Sequence, residues 1–211
     1  MADKDLAMTM PQYSLRSPHA SEWDALARMI ANAIPTYLVS QLGVRFSSLY
    51  YRHLTAHPGT CSLAAYDERG NLAGFVLGCA DSQGAKQLRL PVVARLLLAA
   101  NYRLVSPAFL SWLVRGVLNL MQPKDIVPQK PKAELVILVV AETFQGQGLA
   151  PLLIAELEDF FRRKKLKKSY FILTEKANKA LNRFYEKIGA HFVLTRVHHG
   201  REINEWHKSF P

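Results

Sequence analysis

The stretch from residue 134 to residue 166 constrains the fold more than any other part of the chain. Residues 134–141 are almost all aliphatic, which is typical of a central strand covered on both faces. A glycine-containing turn follows at 145–148, and residues 149–166 then carry apolar side chains at helical spacing. A strand that enters a helix through such a turn leaves the first N–H groups of the helix unpaired. The pattern predicts a mixed α/β fold with an anion site at the turn.

Two glycines in this turn permit a close approach of the backbone to a ligand. Gly146 and Gly148 lack the Cβ atom that would hold phosphate oxygens away from the N–H groups, and the helix dipole adds about half a positive charge. No Lys-Ser or Lys-Thr follows, which excludes a Walker-type NTPase. Pro151 and the basic run at 165–168 disfavour a Rossmann dinucleotide site. Taken by itself, the turn is also consistent with a tight turn that binds nothing.

The periodicity elsewhere predicts two helices and a hairpin before this unit, and a strand, a helix and a closing hairpin after it. The composition of residues 21–24 is that of a capping box, which places the start of the first helix at Ser21. The predicted ranges are 13–16, 21–33, 44–56, 60–66, 72–80, 134–141, 149–166, 170–173, 178–188, 191–197 and 203–210. A chain of this length is expected to form a single domain over residues 1–211.

The composition is that of a folded, strongly basic protein. Apolar residues make up 49% of the 211 residues, which excludes wholesale disorder, and a net charge of +10 predicts attraction to anions. Cys61 and Cys79 are interpreted as small buried side chains, so a reducing cytoplasm is the expected location. The first twenty residues contain no apolar stretch of signal-peptide length. No histidine lies at ligand spacing from either cysteine, and no metal is predicted.

The segment from residue 82 to residue 124 has an unusual composition. It contains six Lys or Arg residues and no Asp or Glu. Helices are predicted at 91–104 and 107–121, within a helical insertion at about 84–124, and no apolar stretch reaches the ~20 residues that cross a bilayer. Packing on the domain itself, a homodimer contact, a lid and peripheral contact with an anionic membrane surface remain alternative roles for this insertion.

Two motifs lie at a fixed separation in the second half of the chain. The first is Gln145-Gly146-Gln147-Gly148-Leu149-Ala150, and the second is Asn178, Tyr185 seven residues later and Gly189 four residues after that. Together they resemble the signatures of the GNAT superfamily of acyl-CoA-dependent N-acetyltransferases. The resemblance covers about residues 134–192 and implies the GNAT fold, a central twisted, mostly antiparallel sheet splayed between its fourth and fifth strands. Asn182 and Ala190 depart from the residues usual at their positions.

The resemblance implies acetyl-CoA as the cosubstrate and a reaction that needs no metal. It implies that N–H groups of the turn hold the pyrophosphate, that the fourth strand pairs with the pantetheine arm and that Asn178 steadies the arm or nearby backbone. A backbone N–H near Val140 would polarise the thioester carbonyl. The implied cofactor-binding residues are Leu138, Val139, Val140, Gln145, Gly146, Gln147, Gly148, Leu149, Ala150 and Asn178.

The resemblance also implies two catalytic residues, Tyr185 and Glu134. Tyr185 would protonate the leaving CoA thiolate; the alternative is a core ring whose hydroxyl is satisfied elsewhere. An alkyl ammonium must lose a proton before or during attack, and Glu134 lies eleven residues before Gln145, where the histone-modifying branch carries its glutamate base. Burial among aliphatic neighbours would favour that role. A water-facing Glu134 at the strand entry, a water chain to another base, and Glu142 are the alternatives.

The predicted acceptor is a small molecule with a primary amine. A basic protein attracts anions and repels a lysine-rich tail, which favours an amino sugar on a nucleotide. The alternative functions are a noncatalytic acyl-CoA-binding protein and a membrane- or nucleic-acid-associated factor. The basic run at 162–168 is interpreted mainly as a solvated helix end, so nucleic acid is not the predicted partner. Four histidines lie near the closing hairpin: His191, His198, His199 and His207. They are interpreted as part of a solvated turn, and the alternative is that they line an edge of the acceptor pocket.

Overall fold

Seven strands form one mixed sheet in the order β1-β2-β3-β4-β5-β7-β6. The computed structural model describes residues 13–88, 90–100, 131–164, 169–198 and 200–210. The strands are β1 Ser14–Arg16, β2 Thr60–Tyr66, β3 Leu72–Cys79, β4 Glu134–Val140, β5 Ser169–Glu175, β6 His191–His198 and β7 Arg201–Ser209. The helices are α1 Trp23–Ala33, α2 Leu38–Gln41, α3 Val44–Thr55, α4 Ser82–Ala85, α5 Leu90–Ala100, α6 Leu149–Arg163 and α7 Lys179–Lys187. Among the described strands only β4 and β5 run parallel, which confirms the predicted mixed, mostly antiparallel sheet.

The sheet opens between β4 and β5. These two strands pair only at Glu134 with Phe171 and at Leu135 with Ile172, and no described strand pairs with residues 136–140 on that edge. A β-bulge lies at the same point, since Val136 has no opposite residue on β3. A bulge bends its strand and increases the local twist. The predicted splay between the fourth and fifth strands is therefore present.

Helices cover both faces of the sheet. On one face α6 places Leu149, Leu153 and Leu157 in a cluster with side chains of β2, β3, β4 and β5. On the other face α1 and α3 bury Leu26, Ile30, Tyr51 and Leu54 against β3 and β4. α6 approaches β3 closely because Gly78 has no side chain; a Cβ there would lie 2.5 Å from the Leu157 Cδ1 atom.

The predicted start of the first helix is wrong. A 3-10 turn at Ala20–Glu22 precedes α1, and the Glu22 carboxylate accepts the His19 N–H at 2.6 Å. The same carboxylate forms an ion pair with Arg16 of β1 at 2.6 Å. The capping carboxylate is therefore that of Glu22, which the ion pair with Arg16 holds in place, and Asp24 stays exposed.

Two further differences concern element lengths. β5 extends past the predicted 170–173 because its polar end is satisfied by neighbours: Thr174 accepts the Trp206 indole N–H, and Glu175 forms an ion pair with Arg201. The same ion pair extends β7 back from the predicted residue 203. The short α2 was not predicted, since four residues show no helical period.

The insertion follows β3 with α4 and α5. The α5 helix corresponds to the helix predicted at 91–104 and packs against α3, with Leu96 and Ala100 buried. The helix predicted at 107–121, and with it most of the predicted insertion, lies outside the described residues. Over the described part of the chain, every helix is too short or too polar to cross a membrane.

Candidate active site

The glycine turn brings backbone N–H groups to the first turn of α6. Gly148 caps this helix with φ +80°, and Gly146 has φ +76°, both in the left-handed region that L side chains rarely adopt. A Cβ at Gly146 would meet no atom within 4 Å, so its backbone conformation, and not packing, requires glycine. Within the described residues, the N–H groups of Leu149 and Ala150 donate to no acceptor. They are therefore available to an anion.

The two glutamines of the motif brace the turn. The Gln145 side-chain amide donates to the Val140 carbonyl at 3.2 Å, and that of Gln147 donates to the Thr143 carbonyl at 2.9 Å. The Gln147 side-chain oxygen also accepts the Tyr13 hydroxyl at 2.9 Å. Their side chains thus hold the loop against β4 and β1, which leaves the backbone of the turn to face a ligand.

The open edge of β4 lies directly before the turn. Ala141 donates its N–H to Ala73, which follows the β3 register, so the backbone groups of alternate residues point to opposite edges. Those of Leu138 and Val140 therefore point into the opening, and those of Val139 point to β3. Val139, which was also predicted to bind the pantetheine arm, lies opposite Phe75 of β3, and its binding role stays a prediction.

Tyr185 and Asn178 lie on and before α7. Tyr185 is 3% exposed, and its ring packs edge-on against Phe184 in the cluster beneath α6. Burial raises the pKa of the Tyr185 phenol, and no described residue hydrogen-bonds to its hydroxyl. The Asn178 side-chain oxygen accepts the Leu181 N–H at 3.0 Å and caps the helix, so Asn178 holds backbone in place.

Asn182 is a residue whose role the sequence did not indicate. Its side-chain oxygen accepts the Thr174 hydroxyl at 2.5 Å, and its amide donates to the carbonyls of Glu175 and Lys176 at 3.1 Å each. Asn182 thereby ties α7, which carries Tyr185, to the end of β5. Its departure from the aliphatic residue usual in the family was the one available signal.

Glu134 is buried in an ion pair. The residue is 3% exposed, so the water-facing alternative is wrong. Its surroundings are also not purely aliphatic as predicted, because Lys86 Nζ lies 2.6 Å from Oε2 and the Ser82 hydroxyl donates to the same oxygen. Both partners belong to the insertion, which no local pattern around Glu134 could indicate. Glu142, the weaker alternative, is exposed in a 3-10 turn.

Two tyrosines interact electrostatically with Glu134. Desolvation raises the pKa of Tyr37 to about 12 although the residue is 37% exposed, and the Glu134 charge adds to that shift. Tyr50 stacks on Phe46, and its pKa is raised by the same two causes, with a neighbouring tyrosine contributing. Both phenols therefore lie close enough to Glu134 to interact with its charge, which makes them candidates for the acceptor side of the site.

Of the four histidines near the closing hairpin, the structure describes the side chains of His191 and His207. His207 is half-buried with Nε2 2.9 Å from Glu205 Oε1, and Glu205 is fully buried with Arg196 as an ion-pair partner. His191 is exposed on β6, and His199 lies outside the described residues. No three potential metal-ligating side chains come together in the described part of the chain. Cys61 and Cys79 are buried free thiols, as predicted.

Solved structures of other proteins share this fold. The NAA60 structure of Arabidopsis thaliana in complex with acetyl-CoA is 14% identical, with a TM-score of 0.58 over 94% of this chain and 98% of that chain. The yncA structure of Salmonella typhimurium with acetyl-CoA is 14% identical, with a TM-score of 0.57 over 94% of each chain. The SsHAT structure is 16% identical, with a TM-score of 0.61 over 94% and 98%.

The family itself is identified by sequence. A search of curated proteins gives no match. The family model described as Acetyltransferase (GNAT) family matches residues 27–190, which is most of the chain and includes the glycine turn and Tyr185. The protein is therefore a member of the GNAT acetyltransferase family.

Proposed function

We propose that this protein transfers an acetyl group from acetyl-CoA to the primary amine of a small acceptor. The observation that carries the proposal is the left-handed glycine turn, whose free N–H groups open onto the unpaired edge of β4. Gly146 has space for a ligand where a side chain would stand, so the residues present fit a diphosphate. The N–H groups of Leu149 and Ala150 would bind it, and Leu138 and Val140 would pair with the pantetheine arm.

The thioester of acetyl-CoA supplies an activated acetyl group, and the chain supplies proton transfer and electrostatic stabilisation. The N–H of Val140 would donate to the carbonyl oxygen as negative charge develops on it. Tyr185 would give its phenolic proton to the departing thiolate; its raised pKa keeps that proton in place at neutral pH. Glu134 would receive the proton of the attacking amine through a chain of water molecules, since it lies at the other end of β4 from Val140. The amine attacks directly, without an acyl-enzyme.

The charge of the protein supports an anionic acceptor. A net charge of +10 raises the local concentration of anions, so an amino sugar on a nucleotide is the proposed class. Tyr37 and Tyr50, whose phenols interact electrostatically with Glu134, would lie near its amine end. The proposed location is the cytoplasm, where the buried thiols of Cys61 and Cys79 stay reduced.

A second proposal concerns peripheral contact with a membrane. The outer face of α5 carries Leu90 and Leu98, 85% and 81% exposed, beside Arg95, and the segment 82–124 has no acidic residue. An apolar helix face edged by cations suits an anionic lipid surface. A homodimer contact through the same face is the competing proposal.

The binding site is tested with two matched glycine variants. Gly146→Ala and Gly70→Ala introduce a Cβ at φ +76° and φ +78°, in both cases with no atom within 4 Å, so their backbone strain is comparable. Calorimetry with acetyl-CoA should detect binding by the wild type and by Gly70→Ala, and binding at least about tenfold weaker by Gly146→Ala. Equal affinity of both variants, or no heat with the wild type, would refute the proposed site.

A further inference from the structure

The insertion begins where it can reach the first residue of β4. β3 ends at Cys79, which lies opposite Glu134 in the register. α4 then starts at once, with the Asp81 side chain accepting the Gly84 N–H and the Ser82 N–H donating to the Lys132 carbonyl. Ser82 and Lys86 are four residues apart, so they share one side of this helical turn. Both side chains point at Glu134.

The two donors occupy one oxygen of the carboxylate and leave the other free. Ser82 Oγ and Lys86 Nζ both contact Oε2, whereas Oε1 has no donor among the described residues. Burial of a carboxylate costs free energy unless a cation or several hydrogen bonds compensate the charge. The ammonium of Lys86 supplies such a cation, and Oε1 is the carboxylate oxygen without a protein donor in the described part of the chain.

The other titratable groups around Glu134 carry no charge near neutral pH. Tyr37, Tyr50 and Cys79 each interact electrostatically with its carboxylate, and desolvation is the main reason why the pKa of each is raised. Lys86 is therefore the one charged side chain that contacts Glu134 within the described chain. The insertion therefore supplies the charge that compensates this buried carboxylate.

We propose that Lys86 and Ser82 are positioning residues that hold Glu134 ionised, with Oε1 facing the acceptor. This inference rests on the proposed function and assigns the insertion a part in it. A chain of water molecules carries one proton from the ammonium to Oε1, which forms an O–H bond as an N–H bond breaks, and the freed nitrogen lone pair attacks the thioester carbonyl. The thiolate leaves with the C–S electron pair and takes the proton of Tyr185, and the nitrogen then gives its second proton to the Tyr185 phenolate.

The kinetic test replaces Lys86 by a neutral and by a cationic side chain. Lys86→Met should lower kcat at pH 7 roughly 10²-fold, because a buried carboxylate without its cation takes up a proton. The loss should shrink as the pH rises, acetyl-CoA affinity should not change, and Lys86→Arg should retain most of the rate. Wild-type kcat in Lys86→Met, or a loss that is equal at every pH, would overturn the inference.

Two controls separate positioning from stability. Lys208 forms an ion pair with buried Glu158 on the opposite face at 2.7 Å, so Lys208→Met removes a comparable cation away from the site. It should leave kcat and its pH dependence unchanged; a loss that matches Lys86→Met contradicts the inference. Ser82→Ala, a milder change, should lower kcat several-fold without altering acetyl-CoA affinity, and an unchanged kcat would count against the role of Ser82.

A spectroscopic readout does not require transfer to any acceptor. Infrared difference spectra at pH 7 should contain the carbonyl band of a protonated carboxyl in Lys86→Met, absent from the wild type and from Lys86→Met/Glu134→Gln. Absence of this band in Lys86→Met refutes the inference. If the wild type transfers acetyl to no amine, the proposed function fails, and the band still decides the dependence of Glu134 on Lys86.

Discussion

Tyr185 combines a buried ring with a hydroxyl that has no partner in the described chain. Tyr185→Phe should therefore leave the free energy of unfolding almost unchanged, since no protein hydrogen bond is lost. Single-turnover acetyl transfer should slow roughly 10²-fold if the phenol protonates the leaving thiolate. Acetyl-CoA affinity, measured by calorimetry, should stay the same.

The contrary result for Tyr185 is equally clear. An unchanged single-turnover rate at matching acetyl-CoA affinity would remove this residue from the acid role. Because the pKa of the phenol is raised, the wild-type rate should show no alkaline loss from Tyr185 below the ordinary tyrosine range.

Glu22 gives the protein a pH-dependent element of stability. The Arg16 guanidinium, aided by the His19 N–H, holds the pKa of Glu22 at about 2, below its ordinary value of 4.5. A lowered folded-state pKa means that the stabilisation is present above about pH 4.5 and disappears as the pH falls towards 2. Glu22→Gln should lower the unfolding free energy by about 1 kcal/mol at pH 7, the solvent-screened value of such a pair, and by nothing near pH 2.

Urea unfolding at the two pH values measures this difference. Asp24→Asn, an exposed carboxylate of the same helix, is the control and should have little effect at either pH. A destabilisation by Glu22→Gln that is the same at pH 7 and pH 2 would contradict the assignment to the ion pair.

Single residues also mark the limit of prediction from sequence. The spacing of the two motifs was enough to select three candidate site residues from the sequence: Gly146, Gly148 and Tyr185. The partners of Glu134 could not be found, because Lys86 is 48 residues away and reaches the strand only after the insertion folds. A residue's type and spacing predict its candidate chemistry, whereas its charge state depends on contacts made across the chain.

At the scale of elements, the close packing of α6 on β3 is the feature most sensitive to substitution. Gly78→Ala would place a Cβ 2.5 Å from Leu157 and 3.1 Å from Phe161, both in the core. We expect a loss of about 1–3 kcal/mol in unfolding free energy, because a packed core resists an added methyl group. Gly59→Ala, whose Cβ would make only contacts of 3.4 Å or more, should be nearly neutral in the same urea titration. Equal effects of the two changes would contradict this packing.

Element boundaries were predicted best where apolar periodicity ends abruptly. β2 matches its predicted range, and α3 ends one residue early. β5 was predicted too short because Thr174 and Glu175 are polar, and their burial or pairing depends on Trp206 and Arg201. Strand ends that are stabilised by side chains from other strands carry no local signal.

At the scale of the whole molecule, the family resemblance predicted the splayed sheet. The composition identified the insertion but did not indicate what the insertion contacts. If the outer face of α5 contacts anionic lipid, the double variant Leu90→Gln/Leu98→Gln should reduce the fraction that floats with phosphatidylserine vesicles by roughly tenfold. Val197→Gln, which replaces another exposed apolar side chain on β6, should float like the wild type. Absence of wild-type flotation, or equal flotation of all three proteins, would contradict membrane contact.

The two-residue pairing between β4 and β5 has a mechanical consequence. Within the described chain, backbone hydrogen bonds join the half-sheets of four and three strands only at this short seam, and the core under α6 contacts both half-sheets. A molecule that binds in the gap adds hydrogen bonds where β4 and β5 have none, and so holds the two half-sheets together. Binding and joining are linked: the free energy by which the bound molecule stabilises the joined half-sheets equals the free energy by which their joining strengthens its binding. Slower deuterium exchange at the amides of Leu138 and Val140 would then show that the bound molecule pairs with β4, before any reaction takes place.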